Sequence, residues 1–200
     1  MSGKTTSYRP LGFLGRLERN KHVVMLYDDE KQADSIIARY LTDGFENGES
    51  CVFLTDEDQV STRRRLAAQG IEAGRYEKKR LRIFQTLGSV SGKADVLDMQ
   101  RALLAASTKG MKGPFRFVGR TIPDIESVKG MRQGMRLEKV GNDHFEEFGM
   151  ALLCFYDIRK MEQSRRDEWV KELLQNHQSV IFASSPTKSV AFETNLLEEG

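Results

Sequence analysis

The sequence predicts a single-domain α/β protein with a mostly parallel central sheet and helices on both faces. Two patterns predict this class: short, nearly continuous apolar blocks recur along the chain, and segments with helical periodicity separate them. The length agrees, because 200 residues of which 39% are hydrophobic suit one ordinary domain with its own core. Right-handed crossovers then distribute the helices over both faces of the sheet.

Six apolar blocks rich in β-branched or aromatic residues are predicted strands. Their apolar character is continuous and does not alternate, as expected for strands that are covered on both faces. The blocks comprise residues 22–27, 51–55, 81–86, 115–120, 150–156 and 179–184.

Four periodic segments are predicted helices, at residues 30–47, 56–69, 93–109 and 158–176. The first of them places Ile36, Ile37 and Leu41 on one stripe and is followed by Gly48, a common residue after a helix end. Helical character is weak in residues 1–20, which are predicted to form a flexible or helical N-terminal arm. The domain itself is expected to span residues 21–200.

Composition argues against several classes of protein. The net charge of +2 gives no global field that would draw the chain to nucleic acid or to an anionic membrane. No window holds the roughly 18 apolar residues of a membrane span, and the first 20 residues lack an apolar signal segment. Cys51 and Cys154 lie in apolar runs, which favours buried thiols in a reducing compartment. A cytoplasmic protein is therefore predicted.

The candidate ligand site lies where the predicted strands end, because ligands of open α/β sheets bind beyond the carboxyl ends of the strands. Two strands end in Tyr-Asp, and if these strands are neighbours their phenols and carboxylates converge at one crevice. The alternative is equally open: the aspartates cap the next helices and the tyrosines pack in the core. The candidate ligand-binding residues are Tyr27, Asp28, Asp29, Arg120, Tyr156 and Asp157.

Three further residues are secondary candidates, although each has a simpler interpretation. His22 begins the first strand, where a histidine bonded to backbone is favoured over a ligand-binding one. Glu138 precedes the polar residues 140–144, which are predicted to form a surface turn in preference to a lid. His177 follows a helix, where capping of the helix end is the first expectation. Arg120 could pair with Asp157, with Asp28 or with an anionic ligand, and an internal salt bridge is the more common outcome.

No catalytic residue, cofactor or metal site is predicted. The three histidines are far apart in the sequence, with no His-x-x-x-His spacing and no Cys–His motif. The chain also lacks the G-x-S-x-G nucleophile elbow.

The turn after the first strand argues against nucleotide hydrolysis. It contains no glycine, and three consecutive carboxylates (Asp28, Asp29 and Glu30) stand where a phosphate loop would begin. Two unit charges about 4 Å apart repel by roughly 4 kcal/mol at an effective dielectric constant near 20. A RecA-like ATPase that uses the Gly-Ser-Val-Ser-Gly-Lys loop at residues 88–93 remains an alternative, although Ala94 replaces the hydroxyl residue that would hold Mg²⁺.

A regulator that binds nucleic acid is the other alternative. Residues 63–65 and 78–82 are short basic runs that could contact phosphates. Because no aromatic residues are interleaved with them, a solvated surface is the favoured interpretation, and nucleic acid is not expected to be a partner.

Several segments, taken in order, resemble the MEDS domain (methanogen/methylotroph, DcmR-type sensory), a relative of the RecA/KaiC fold that lacks its phosphate loop. They are His-Val-Val-Met-Leu-Tyr at 22–27, the run at 44–55, Glu138, Ala-Leu-Leu-Cys-Phe-Tyr-Asp at 151–157 and the run at 173–181. The sequence departs from the family pattern at Phe155, where a more polar residue is expected, and the match is weak between residues 91 and 125.

The resemblance implies a sensory or signal-transduction module that binds a small ligand or a partner protein, such as a kinase or a transcription regulator. No output domain accompanies it, so a stand-alone sensor is expected. Its signal would then pass through a partner or through a homo-oligomer. The apolar residues Leu11, Phe13 and Leu14 are candidates for contacts between copies, and a loosely packed tail is an equally open interpretation of them.

Overall fold

The protein folds around one seven-stranded sheet, shown by a computed structural model that describes residues 8–15, 17, 20–77, 80–86 and 95–194. The strand order is β3-β2-β4-β5-β1-β6-β7, and every pairing is parallel except that of β6 with β7. The strands are β1 (His22–Tyr27), β2 (Ser50–Thr55), β3 (Leu81–Gln85), β4 (Phe115–Gly119), β5 (Met150–Asp157), β6 (Ser179–Ala183) and β7 (Val190–Glu193).

All six predicted strands are confirmed, and so is the α/β class with a mostly parallel sheet. The continuous apolar pattern corresponds to strands buried on both faces: in β1, every residue from His22 to Leu26 is buried. The sequence analysis missed β7, a four-residue antiparallel strand at the sheet edge, where few side chains are buried and the apolar block is correspondingly short.

Helices cover both faces of the sheet, as predicted. They are α1 (Pro10–Leu14), α2 (Glu30–Glu46), α3 (Gln59–Ala68), α4 (Ala73–Tyr76), α5 (Val96–Thr108), α6 (Val128–Asp143), α7 (Phe145–Phe148) and α8 (Arg166–Gln175). Residues of α1 to α4 pack with one set of strand side chains. Residues of α5 to α8 pack with the set that points the other way.

The surface turn predicted at residues 140–144 is wrong, because α6 continues to Asp143. Glycines at three positions of this segment obscured the helix in the sequence. The structure shows why two of them are needed: a Cβ atom on Gly130 or Gly134 would collide with Asp124 or Ile122. Small residues therefore let α6 approach the segment after β4 closely, and this approach buries Glu138.

The predicted helix at residues 158–176 begins only at Arg166. The preceding residues form turns in which side chains occupy backbone amides: Asp157 accepts from the amide of Arg159, and Glu162 accepts from the amide of Ser164. Such local hydrogen bonds compete with helix formation.

Part of the predicted N-terminal arm packs against the domain. Tyr8 forms a β-bridge with Ala191, and α1 contacts α2. Phe13 and Leu14, two of the residues considered for contacts between copies, are buried in the chain's own core, whereas Leu11 is 46% exposed. Among the described helices, none has the length and apolar character needed to cross a membrane.

Candidate functional site

The two Tyr-Asp strand ends lie side by side, because β1 and β5 are neighbours in the sheet. Leu26 is in register with Tyr156, and Tyr27 with Asp157. Side chains alternate along a strand, so the two tyrosines point to opposite faces. Tyr27 packs near Phe155 on the α2 face, whereas Tyr156 is fully buried on the α6 face. The two phenols therefore do not meet in one crevice.

The aspartates at these strand ends hold local structure. Asp29 caps α2 by accepting from the amide of Gln32 at 3.0 Å. Asp157 accepts from the guanidinium of Arg159 at 2.9 and 2.7 Å, and this hydrogen bonding lowers the pKa of the carboxyl group. Asp28 and Asp29 border an open depression of about 470 Å³ together with Arg159. This depression is polar and shallow.

Arg120 forms an ion pair with Asp56 at the end of β2. This internal salt bridge matches the simpler interpretation, but its partner is neither Asp28 nor Asp157. The Arg120 side chain remains 29% exposed and lies at the border of a second, larger cavity described below.

The three secondary candidates converge in the core. His22, Glu138 and His177 join Cys154 in a fully buried group, here called the buried cluster, whose ligand-type atoms all lie within 4.8 Å of one another. Nε2 of His22 is 3.5 Å from Sγ of Cys154 and 3.7 Å from Oε2 of Glu138. Nε2 of His177 is 3.6 Å from the same Glu138 oxygen.

Burial dominates the electrostatics of this cluster. It raises the pKa of Glu138 to about 7 and raises the pKa of the Cys154 thiol well above its usual value. It also lowers the pKa of His177 to about 4, and burial together with His177 lowers that of His22. Each pKa shift arises because the charged form of the group is disfavoured in a dry environment. Both histidines are therefore neutral near pH 7, and their contacts with Glu138 are not ion pairs.

Neighbouring groups orient the members of the cluster. Nδ1 of His177 donates to the backbone carbonyl of Leu173 at 2.7 Å, so Nε2 of that ring carries a lone pair directed at Glu138. The Tyr156 hydroxyl donates to Glu138 and accepts from the amide of Thr121 at 3.2 Å. The Thr121 hydroxyl is 3.3 Å from the Cys154 sulfur.

A cavity of about 550 Å³ lies beside the cluster, between α5 and the strands β2 to β5. We call it the α5 cavity. Its walls are mostly apolar, and its polar lining residues include His22, Glu138 and Thr121 on the side of the cluster, together with Gln100 and Arg120. The apolar lining includes Leu54, Phe84, Met99, Leu103, Leu104, Phe117, Phe145, Phe148, Met150 and Leu152.

Helix α5 covers this cavity with few contacts. Only Ser107 of the helix is buried. Polar contacts hold it in place: Gln100 donates to the carbonyl of Leu137 at 2.8 Å, and Arg101 pairs with Glu147 at 3.0 Å. Beneath the helix, Gly119 leaves no room for a side chain, because a Cβ atom there would lie 2.6 Å from Cβ of Leu54.

Comparison with known families assigns the chain to a family. The family model described as MEDS, the methanogen/methylotroph DcmR sensory domain, matches residues 21–178. The chain belongs to the MEDS family. The sequence segments that suggested this family contribute Glu138, Cys154, Tyr156 and His177 to one buried site, and its sensory designation indicates a signalling role. No curated protein matches the chain significantly.

Solved structures show the same fold. A KaiC-like protein from the hyperthermophilic archaeon Pyrococcus horikoshii OT3 is similar with a TM-score of 0.58 at 19% identity, over 84% of this chain and 73% of that one. A second protein from the same archaeon has a TM-score of 0.58 at 10% identity, over 89% of each chain. The MEDS domain therefore has a KaiC-like, RecA-related fold, as the sequence resemblance implied.

Sequence reasoning did not assign a role at the site to Cys154 or Thr121. Cys154 was interpreted as a buried thiol, and it is buried. One signal was present in the sequence: Cys154 and Tyr156 are two positions apart in β5, so their side chains share a face of the sheet. The glutamate and the two histidines come from other elements, and their distance in sequence hid the cluster.

Proposed function

We propose that this MEDS domain is a sensor that binds a small, largely apolar molecule with one polar group in the α5 cavity. It transmits the signal to a partner protein by binding alone, without catalysis and without hydrolysis of nucleoside triphosphates. The observation that carries this proposal is the cavity itself, in which apolar walls surround a few buried polar groups.

The volume of the cavity supports a small molecule. Pockets for small ligands usually measure about 300–1,000 Å³ and are apolar with a few placed polar groups. At about 550 Å³ the α5 cavity lies within that range. Side chains such as Phe117 and Leu152 offer contact to a hydrocarbon portion, and neither can bind a highly charged ligand.

The polar side of the cavity supplies orientation. Glu138 lies at this side with a pKa raised by burial to about 7, so it can donate or accept a hydrogen bond near neutral pH. The Thr121 hydroxyl and the His22 ring lie on the same side. A ligand with a single hydroxyl or carbonyl group would satisfy one of these groups without bringing a charge into the core.

Helix α5 is the element through which we propose that binding is communicated. It covers the cavity and buries little of its own surface, so a ligand beneath it would add apolar contacts that the helix otherwise lacks. A change in the position or stability of α5 would then alter the surface offered to a signalling partner.

The start of α2 supports the absence of nucleotide hydrolysis. Phosphate-binding folds direct helix N-terminal amides at the phosphates. Here the carboxylate of Asp29 occupies the amide of Gln32, and Asp28 and Glu30 add negative charge beside it. The alternative loop at residues 88–93 lies outside the described residues.

The basic run at residues 63–65 is largely neutralised, which weighs against a nucleic-acid partner. Arg63 pairs with Glu77 at 2.8 Å, and Arg65 pairs with Asp34 at 3.0 Å and with Glu57 at 3.1 Å. In the second run, Arg80 and Arg82 donate to backbone carbonyls, whereas Lys78 and Lys79 lie outside the described residues.

A cavity-filling variant tests the ligand site. We expect benzyl alcohol to raise the thermal midpoint of the wild-type chain more than toluene does, because only the alcohol can bond to the polar side of the cavity. Leu104→Trp fills the cavity and should abolish both shifts. Val60→Trp, at a residue that is 61% exposed, is the matched control and should keep them. Equal responses of the two variants would contradict the proposed site.

Calorimetric titration with Mg·ATP tests the second part of the proposal. We expect no saturable binding to the wild-type chain. Binding that Lys93→Ala removes would instead establish the nucleotide alternative.

A further inference from the structure

The donor set of the buried cluster is that of a metal site. His22, Glu138, Cys154 and His177 offer two imidazole nitrogens, one thiol sulfur and one carboxylate oxygen, all within 4.8 Å of one another. Imidazole nitrogen, thiolate sulfur and carboxylate oxygen are the ligand types that bind Zn²⁺ in proteins. We propose that the buried cluster binds one Zn²⁺ ion in a closed site with four protein ligands.

The distances between donor atoms fit tetrahedral zinc. Ligands at the usual bond lengths of about 2.0–2.3 Å around a tetrahedral ion are separated by roughly 3.3–3.8 Å. Nε2 of His22 lies 3.5 Å from the Cys154 sulfur and 3.7 Å from Oε2 of Glu138. Nε2 of His177 lies 3.6 Å from the same oxygen. These three separations lie within the expected range, and the remaining pairs lie within 4.8 Å, so binding of an ion requires the donor atoms to approach one another by at most about 1 Å.

A buried ring nitrogen of His177 also faces the other donor atoms of the cluster. Nε2 of His177 belongs to a fully buried ring and has no hydrogen-bond partner among the described residues. Because Nδ1 of this ring donates to the carbonyl of Leu173, Nε2 presents a bare lone pair to an acceptor oxygen of Glu138. When Glu138 is ionised, two acceptors face each other in the core, which is unfavourable, and a cation between them turns both into ligands.

The hydrogen bonds that neighbouring groups make to the four donor residues also match those of metal ligands. Ligating histidines usually donate their second ring N–H to a carbonyl or carboxylate, and ligating carboxylates are themselves hydrogen-bonded. His177 does the first through Leu173, and Glu138 does the second through the Tyr156 hydroxyl. The Thr121 hydroxyl lies 3.3 Å from the Cys154 sulfur and can donate to a thiolate.

Charge balance favours a divalent ion. A thiolate and a carboxylate together bring two negative charges into the core, and Zn²⁺ with two neutral histidines makes the whole group neutral. An isolated buried carboxylate or thiolate would be strongly unfavourable. His22 and Glu138 also line the α5 cavity, which gives the ion a path to the cluster.

The ligands come from four different elements: β1, α6, β5 and the segment between α8 and β6. A bound ion would therefore join distant parts of the chain and stabilise the fold. This inference does not rest on the proposed ligand, because the ion requires no organic molecule. With zinc bound, His22 and Glu138 ligate the ion, and Gln100, Arg120 and Thr121 are polar lining residues that remain for a ligand in the α5 cavity.

Metal analysis of the full chain is the direct test. After incubation with Zn²⁺ and gel filtration, we expect about one zinc per chain, and removal of the metal by a chelator should lower the thermal midpoint. With Co²⁺ in place of Zn²⁺, the wild-type chain should show tetrahedral d–d bands and a sulfur-to-cobalt charge-transfer band.

Matched variants assign the ligands. Cys154→Ala should abolish the charge-transfer band, whereas Cys51→Ala, at the other buried thiol, should keep it. His177→Ala should lower the zinc content, and His144→Ala at a more exposed histidine should leave it unchanged. Zinc below ~0.1 per wild-type chain, or a charge-transfer band that persists in Cys154→Ala, would overturn the proposal. The wild-type measurements decide the question even where a variant does not fold.

Discussion

Two buried side chains, Arg116 and Glu49, show how single residues contribute to the stability of this domain. They form an ion pair in which both side chains are at most 5% exposed. Arg116 also donates to the backbone carbonyl of Tyr40 at 2.9 Å and lies over the Tyr40 ring. These partners of the guanidinium lie in the core, and the loss of Glu49 leaves a buried charge without its counter-ion.

Glu49→Ala should destabilise the domain by about 3–5 kcal/mol, because removing one partner of a buried pair leaves the other charge unpaired. Urea unfolding measures the difference. The exposed pair of Arg165 with Glu168 provides the control: Glu168→Ala should change the free energy of unfolding by less than about 1 kcal/mol. Similar losses in the two variants would show that burial does not determine the effect.

Glu162 gives a pH dependence with a defined sign. Hydrogen bonds from Ser164 and from the Trp169 indole lower its pKa to about 2, from an ordinary value of 4.5. The group is therefore expected to stabilise the folded chain fully above about pH 4.5, and this contribution is lost as the pH falls towards 2.

An NMR titration of the Glu162 carboxyl carbon measures that midpoint. We expect a value well below 4.5 in the folded chain, and Glu162→Gln should remove the corresponding part of the acid dependence of stability. A midpoint at or above 4.5 would show that the hydrogen bonds do not form in solution.

At the scale of elements, the close approach of α6 to the segment after β4 decides where Glu138 lies. Glycine normally weakens a helix, by about 1 kcal/mol relative to alanine. In α6 that penalty is offset, because Gly134 allows Ile122 to lie against the helix backbone. The buried stripe of α6 then includes Met131, Met135 and Glu138.

Gly134→Ala should therefore destabilise the domain despite the better helix propensity of alanine, since the new Cβ atom collides with Ile122. The matched control is Gly12→Ala in α1, where a Cβ atom would have no neighbour within 4 Å and no destabilisation is expected. Thermal unfolding of the two variants measures the contrast. A Gly134→Ala variant as stable as the wild-type chain would contradict the packing described for α6.

At the scale of the whole molecule, burial differs strongly between helices on the two faces of the sheet. Helix α2 buries nine of its residues, whereas α5 buries only Ser107. Helices with few buried contacts open at lower free energy than the core does. The face with the α5 cavity is therefore expected to be the more adjustable one, as a sensory domain requires.

Hydrogen exchange followed by mass spectrometry tests this expectation. Backbone amides of α5 (Val96–Thr108) should exchange faster than those of α2 (Glu30–Glu46). Benzyl alcohol in the cavity should slow exchange in α5 and leave α2 unchanged. Equal protection of the two helices in the free chain would argue against α5 as the responsive element.

Much of the fold could be predicted from local patterns. The strands were predictable because burial on both faces requires continuous apolar blocks, and α2 was predictable because its apolar stripe has a clear helical period. Helix α6 was missed because its glycines are explained only by Ile122 and Asp124, which are contacts of the folded chain. The edge strand β7 carries too few apolar residues to be distinguished from a loop.

The candidate site, like the fold, was predictable from the sequence only where it depended on local patterns. The aspartates at the strand ends were recognisable as polar groups at the correct edge of the sheet, but their roles as caps depend on backbone amides nearby. Tyr27 and Tyr156 were expected to converge. Strand adjacency was anticipated correctly, yet the one-residue offset in register directs the two rings to opposite faces.

The sequence by itself determined the α/β class, the family and the acidic turn after β1, because these depend on residue types at short and regular spacing. Only the tertiary structure decided that His22, Glu138, Cys154 and His177 meet. They come from elements up to 155 positions apart, and strand order and the depth of α6 bring them together. Spacing along the chain does not predict that these four residues are close together, because crossover connections set the distances between side chains in the core.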